Sequence, residues 1–73
     1  MRDLSEEQLS LLSLLDKDND TVAKELKEKW SSGENSTEFK SSNGFYVVAV
    51  FISGRWKVYV TDLQIKKTKV YFG

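Results

Sequence analysis

Seventy-three residues with no cysteine and no histidine must fold as one domain without disulfides and without the commonest metal ligand. The missing histidine also removes the side chain whose unperturbed titration lies near neutral pH. Net charge is zero but unevenly spread: residues 1–38 hold ten acids and five bases, and residues 39–73 hold one acid, Asp62, and six bases.

A chain this short buries only about 60% of the surface its unfolded form exposes, so dense packing or self-association must supply the rest of its stability. The opening Met1-Arg2-Asp3-Leu4-Ser5-Glu6-Glu7 places two glutamates where a signal peptide needs apolar residues. The longest apolar run, Phe45 to Ile52, is eight residues, against about 20 for a membrane span. A cytoplasmic location with no membrane segment is expected.

The first helix is predicted from about Glu6 to Leu15. Ser5 and Gln8 have capping-box spacing, Leu4 and Leu9 have hydrophobic-staple spacing, and Glu6 and Glu7 suit the positive end of the helix dipole. Leu9, Leu11, Leu12, Leu14 and Leu15 together span roughly 220° of the helix circumference, wider than one buried stripe requires. Asp16 to Asp20 is expected to be a connection, with Asp20 capping a second helix from about Thr21 to Trp30. Val22, Ala23, Leu26 and Trp30 form its apolar stripe. Lys24–Glu28 and Glu25–Lys29 have the spacing of ion pairs on one helix face. Gly33 is predicted to close the helix in a left-handed conformation.

Beyond Gly33 the apolar period becomes two. Ser42-Asn43-Gly44 separates two strand-like runs. A three-residue loop with Gly44 left-handed puts Phe39 beside Val47 and leaves Glu38 and Lys40 outward. Ser53-Gly54 makes the next turn, pairing Phe51 with Trp56, Ala49 with Val58 and Val47 with Val60 on the core face. The opposite face then shows Tyr46, Val48, Val50 and Ile52 beside Arg55, Lys57, Tyr59 and Thr61. A last strand is expected within 63–72. Leu63 and Ile65 keep the core parity and Val70 and Phe72 break it, so a bulge or turn is predicted near Lys66-Lys67-Thr68. The fold class is α+β: two N-terminal helices packed on one face of a four-stranded antiparallel β-meander. It is a single domain over 1–73, with a helical part at 1–33 and a β part at 36–73.

Asp16-x-Asp18-x-Asp20 has the spacing that opens a calcium loop. The sixth and twelfth positions of that loop need glycine and glutamate, and here they are Thr21 and Lys27. No metal or cofactor is expected. Leu4-Ser5-Glu6-Glu7-Gln8-Leu9 through Thr21-Val22-Ala23-Lys24-Glu25-Leu26 resembles the opening helices of winged-helix DNA-binding domains. The resemblance covers residues 4–30 and implies a following recognition helix; the chain instead runs through Gly33 into strands, so the DNA-binding function is not carried over.

Catalysis is not expected. Without histidine and cysteine the possible players are Asp, Glu, Lys, Ser, Thr and Tyr; glycosidase-type chemistry would need two carboxylates across a cleft, and nearly all the acids lie on helices and connections that read as solvated. Binding remains. Arg55-Trp56-Lys57-Val58-Tyr59 and Lys66-Lys67-Thr68-Lys69-Val70-Tyr71-Phe72 interleave cations with aromatics. The expected partner-binding residues are Tyr46, Arg55, Lys57, Tyr59, Lys66, Lys67 and Lys69, with Tyr71 a further aromatic platform. The expected function is a small non-enzymatic protein-interaction module, an inhibitor or adaptor acting by surface occupation, of a kind common among phage and mobile-element products. The alternative is a nucleic-acid-binding module using the same basic-aromatic face. The sequence leaves open a foreign partner or a second copy. It also leaves open whether the sheet face or the acidic helices, through Glu6, Glu7, Glu25 and Glu28, make the contact.

Overall fold

A computed structural model describes residues 3–33 and 36–73. Two helices, α1 (Glu6–Asp18) and α2 (Asp20–Ser31), precede four strands: β1 (Thr37–Lys40), β2 (Phe45–Ile52), β3 (Arg55–Asp62) and β4 (Lys67–Phe72). The strands form one antiparallel sheet in the order β1-β2-β3-β4. The architecture is the α+β meander that the sequence predicts.

The capping box forms: Ser5 Oγ accepts from Gln8 N at 3.2 Å, and Gln8 Oε1 accepts from Ser5 N at 2.9 Å. The helix then runs three residues past Leu15, and the expected connection shrinks to one residue. Asn19 ends α1, its N–H donating to Leu15 O at 2.6 Å. It also begins α2, its Oδ1 accepting from Val22 N at 3.2 Å. The cap is therefore Asn19 rather than Asp20, because Asn19 alone has the extended backbone (φ −160°, ψ 92°) that a capping residue needs. Gly33, at φ 94°, closes α2 as expected.

Neither ion pair expected along α2 forms among the described residues, and Glu25 and Lys29 turn to tertiary contacts instead. Glu25 accepts from Ser42 N at 3.2 Å, and Lys29 Nζ lies 5.8 Å from the centre of the Phe39 ring. Asn43 Nδ2 donates to Asn19 Oδ1 at 2.9 Å. Both bonds tie the β1–β2 loop to α2, so Glu25 is a structural acid and not a solvated one.

Both hairpins take the expected registers. Phe39 pairs with Val47 across a loop in which Gly44 has φ 87°. Phe51 pairs with Trp56 across a two-residue turn whose residues Ser53 and Gly54 are both left-handed, the twist that suits a tight hairpin. The last strand lies within the expected 63–72, but the turn before it comes earlier than Lys66-Lys67-Thr68 and takes Leu63 and Ile65 with it. Leu63 to Lys66 form a turn, begun by Asp62, whose Oδ1 accepts from Gln64 N at 2.9 Å and Ile65 N at 3.4 Å. Lys66 takes φ 56° and returns its N–H to Asp62 O at 2.7 Å. Leu63 and Ile65 therefore do not reach the core; Ile65 is 61% exposed.

One core joins the helical and β parts. It contains Leu11, Leu12, Leu15, Val22, Ala23, Leu26 and Trp30 from the helices, and Val47, Ala49, Trp56, Val58, Val60 and Tyr71 from the sheet. Trp30 and Trp56 meet edge-on, ring centres 5.1 Å apart, a preferred aromatic geometry. Every sheet member of the core has the same parity, so both helices lie on one face. Phe51 shares that parity yet stays exposed near the β2–β3 turn, its ring tilted against Trp56 at 5.3 Å. The spare leucines of α1 are Leu9 and Leu14, both exposed.

Candidate functional site

The helices cover one face of the sheet; the other is open. Because residues alternate across a strand, the registers sort the open face into four rows. Ile52 lies beside Arg55. Val50, Lys57 and Phe72 form the next row, then Glu38, Val48, Tyr59 and Val70, then Lys40, Tyr46, Thr61 and Thr68. No described element packs over them. A solvated antiparallel face normally shows polar residues at these positions. Here three valines, an isoleucine, a phenylalanine and two tyrosines occupy it, with Ile52 48% and Phe72 58% exposed.

The face is cationic toward the β2–β3 end. Arg55 Nη2 donates to Gly73 O at 2.9 Å, and Lys57 Nζ sits 5.6 Å from the centre of the Phe72 ring. At the opposite margin the Tyr46 hydroxyl donates to Glu38 Oε2. That bond to a carboxylate raises the Tyr46 pKa above its ordinary 10.0.

Four of the seven residues expected to bind a partner, Tyr46, Arg55, Lys57 and Tyr59, share this face. Lys66, Lys67 and Lys69 do not join them. Lys66 is in the turn after Asp62. Lys67 and Lys69 pair with Asp62 and Val60, which gives them the parity of the helix-covered side. Tyr71 has that parity too and is buried, so it is no exposed platform. Sequence reasoning missed Val70 and Phe72 as members of the open face. Their break in parity was the available signal, and it marks the face change that the Leu63–Lys66 turn produces.

On the helix side, Lys69 Nζ and the Tyr71 hydroxyl both donate to Asp18 Oδ2, at 2.6 and 2.5 Å. Lys69–Asp18 is the ion pair formed among the described residues. The hydrogen bonds from Lys69 and then Tyr71 lower the Asp18 pKa. The bond to Asp18 raises that of Lys69, and burial, then the same carboxylate, raises that of Tyr71. These groups fasten the end of α1 to β4. Asp18, second of the three calcium-like aspartates, is thereby committed to the fold. Lys67, Lys69 and Tyr71 border a groove of about 640 Å³ that also touches Lys17, Phe45 and Val60.

Glu7 is a second structural acid. The Trp56 carbonyl accepts from Gly73 N at 3.2 Å, but the Trp56 N–H donates to Glu7 Oε1 at 2.5 Å. The α1 carboxylate thus completes the sheet ladder where β4 ends.

Among the described residues, no group of three or more acids could hold a metal ion, and no helix is long and apolar enough to cross a membrane. The chain matches no protein-family model, no curated protein and no solved structure with which it was compared.

Proposed function

We propose that this protein is a non-enzymatic protein-interaction module that acts by surface occupation, as an inhibitor or adaptor does, and that the open face of its sheet is the docking surface. The observation that carries the reading is the uncovered apolar centre formed by Val48, Val50, Tyr59, Val70 and Phe72. Contiguous apolar surface rimmed by charge is typical of partner sites.

The placement of the lysines favours protein over nucleic acid. Of the six cations in the basic half, only Lys40, Arg55 and Lys57 are on this face, and Glu38 shares it. Capture by the acidic helices fits less well, because Glu7 and Glu25 already accept hydrogen bonds from Trp56 and Ser42.

The test pairs two measurements. Purified protein is titrated with single- and double-stranded oligonucleotides across salt, and it is used as bait in extract of its native host beside a Val50→Glu variant. The reading expects no oligonucleotide binding and a captured protein that the variant loses. Oligonucleotide affinity that falls by about 10³ or more between 50 and 200 mM salt would replace it with the nucleic-acid reading.

A further inference from the structure

The sheet ends at β4, which bonds to β3 on one side and to no described strand on the other. Gly73 N donates to Trp56 O at 3.2 Å, which makes Trp56 and Gly73 a bonded pair of the β3–β4 ladder. Bonded and non-bonded pairs alternate along an antiparallel ladder, so Val58–Tyr71, Val60–Lys69 and Asp62–Lys67 are bonded pairs too. The N–H and C=O groups of Thr68, Val70 and Phe72 therefore point away from β3, and none has a partner among the described residues. Resting on the docking reading above, whose apolar surface ends at Val70 and Phe72, we infer that an extended acidic segment of the partner protein adds to this edge as a further antiparallel strand.

The side chains of β4 set the sequence that such a segment needs. Val70 and Phe72 lie on the open face, 36% and 58% exposed, and added residues opposite them share that face. Apolar side chains there extend the patch. Lys67 and Lys69 have the other parity, and acids suit the positions opposite them. Lys67 forms no ion pair among the described residues, and Lys69 keeps 65% of its side chain exposed although Asp18 holds it. Lys66, in the turn, adds a third cation at the same end, and β4 itself contains no acid. From the residue opposite Phe72 to the one opposite Lys67, the segment runs apolar, neutral, apolar, acidic, neutral, acidic.

Charge selects this occupant over others. Lysines on an exposed edge deter unselective pairing, because an incoming strand must meet them. An acidic strand turns that repulsion into attraction, whereas the β4 of a second copy would bring its own Lys67 and Lys69 and no acid. The other edge, β1, is shorter. By the same alternation, counted from the Ser41 N to Phe45 O bond, only Glu38 and Lys40 of β1 turn their backbone groups outward. These are one acid and one base, so that edge selects neither sign. Main-chain bonds supply the affinity of an added strand, so it does not need the area of a broad face.

A capped synthetic peptide containing Val-Thr-Val-Glu-Thr-Glu tests the inference against the full chain. Titration followed by NMR should give a dissociation constant on the order of 100 μM at about 50 mM salt. Amide hydrogen exchange should slow most at Thr68, Val70 and Phe72, whose N–H groups the added strand would bond. Methylating the backbone nitrogen of the second valine, opposite Val70, removes a ladder donor and should weaken binding about tenfold. Lys67→Glu should weaken it about fivefold, and a Val-Thr-Val-Lys-Thr-Lys peptide should not bind. No binding up to about 1 mM peptide, or binding that the methylated peptide retains, overturns the inference. Methyl shifts at Val48 and Val50 without slowed exchange at the edge would put the peptide across the face and overturn it as well. Exchange that slows at these edge amides in the protein alone, more so as its concentration rises, would put a second copy there, with the same consequence. Host capture that Val50→Glu abolishes keeps the open face as the docking surface even where the peptide fails. Capture lost in Lys67→Glu but not in Val50→Glu overturns the open face and keeps the edge. Capture that ignores both variants overturns both.

Discussion

The two faces of the sheet are built from nearly the same residues, and they meet different fates. Val47, Val58 and Val60 are buried beneath two helices, whereas Val48, Val50 and Val70 point the other way with nothing described above them. Apolar content therefore does not decide which face is covered. The helices do. Leu11, Leu12, Leu15, Val22, Leu26 and Trp30 provide enough apolar surface for one face, and α1 and α2 both pack there. The closed face holds the fold together. The open one has residues suited to a core and no core to join.

Truncation should separate the faces most sharply. Trp30→Ala removes a side chain 2% exposed that stacks edge-on against Trp56. It should cost about 3–5 kcal/mol, comparable with the whole stability of a small domain, and urea titration should find the variant largely unfolded. Ile52→Ser on the open face should change monomer stability by less than about 0.5 kcal/mol in dilute solution. Equal losses at the two sites would mean that the open face is covered after all.

The next effect belongs to Glu7. Glu7→Ala leaves the Trp56 N–H without its acceptor, at about 1–3 kcal/mol. Glu7→Gln keeps an acceptor oxygen and should recover most of that loss. The difference in urea midpoint between the two variants isolates the hydrogen bond from the side chain's packing.

The covered face was largely legible in the sequence, because parity across two short loops determines which residues oppose each other. Phe39–Val47 and Phe51–Trp56 follow from Gly44 and from Ser53-Gly54. The last strand was less legible. Its face depends on where the chain turns, and the turn is placed by the Asp62 side chain binding Gln64 and Ile65 rather than by a glycine. Shifting it ahead of Lys67 moves Lys67, Lys69 and Tyr71 to the helix side and Val70 and Phe72 to the open side. Four of the seven expected partner residues survive that shift. Asp18, Glu7 and Glu25 looked solvated because their partners lie 53, 49 and 17 residues away along the chain. Local spacing carries no sign of them.

Asn19 provides a smaller test of the joint between α1 and α2. It caps α2 and also accepts from Asn43, whereas Asp20 lies within the first turn. Asn19→Ala should cost about 1 kcal/mol, and Asp20→Ala a few tenths, from its lost interaction with the helix dipole. Thermal unfolding of the two variants side by side checks the order, and the reverse order would return the cap to Asp20.

The smallest effect is the pH dependence of the contact between α1 and β4. The Asp18 carboxyl is held below its ordinary 3.8 by the Lys69 ammonium and the Tyr71 hydroxyl. Its contribution is therefore complete above 3.8 and disappears as pH falls through the lower, folded-state value. Lys69 and Tyr71 are shifted upward, from 10.5 and 10.0. Their contribution is complete below those values and is lost as pH rises through the folded-state ones. The contact thus strengthens the domain across neutral pH and weakens at both extremes. Asp18 and Lys69 are exposed, so added salt should blunt the effect. Stability measured against pH should fall less steeply in Asp18→Asn than in wild type, at the acidic end and the alkaline end alike. A variant that flattened only the acidic limb would show that Asp18 shifts neither Lys69 nor Tyr71. The open face of the sheet would contribute to the alkaline limb alone, through Tyr46, whose pKa its bond to Glu38 raises from 10.0.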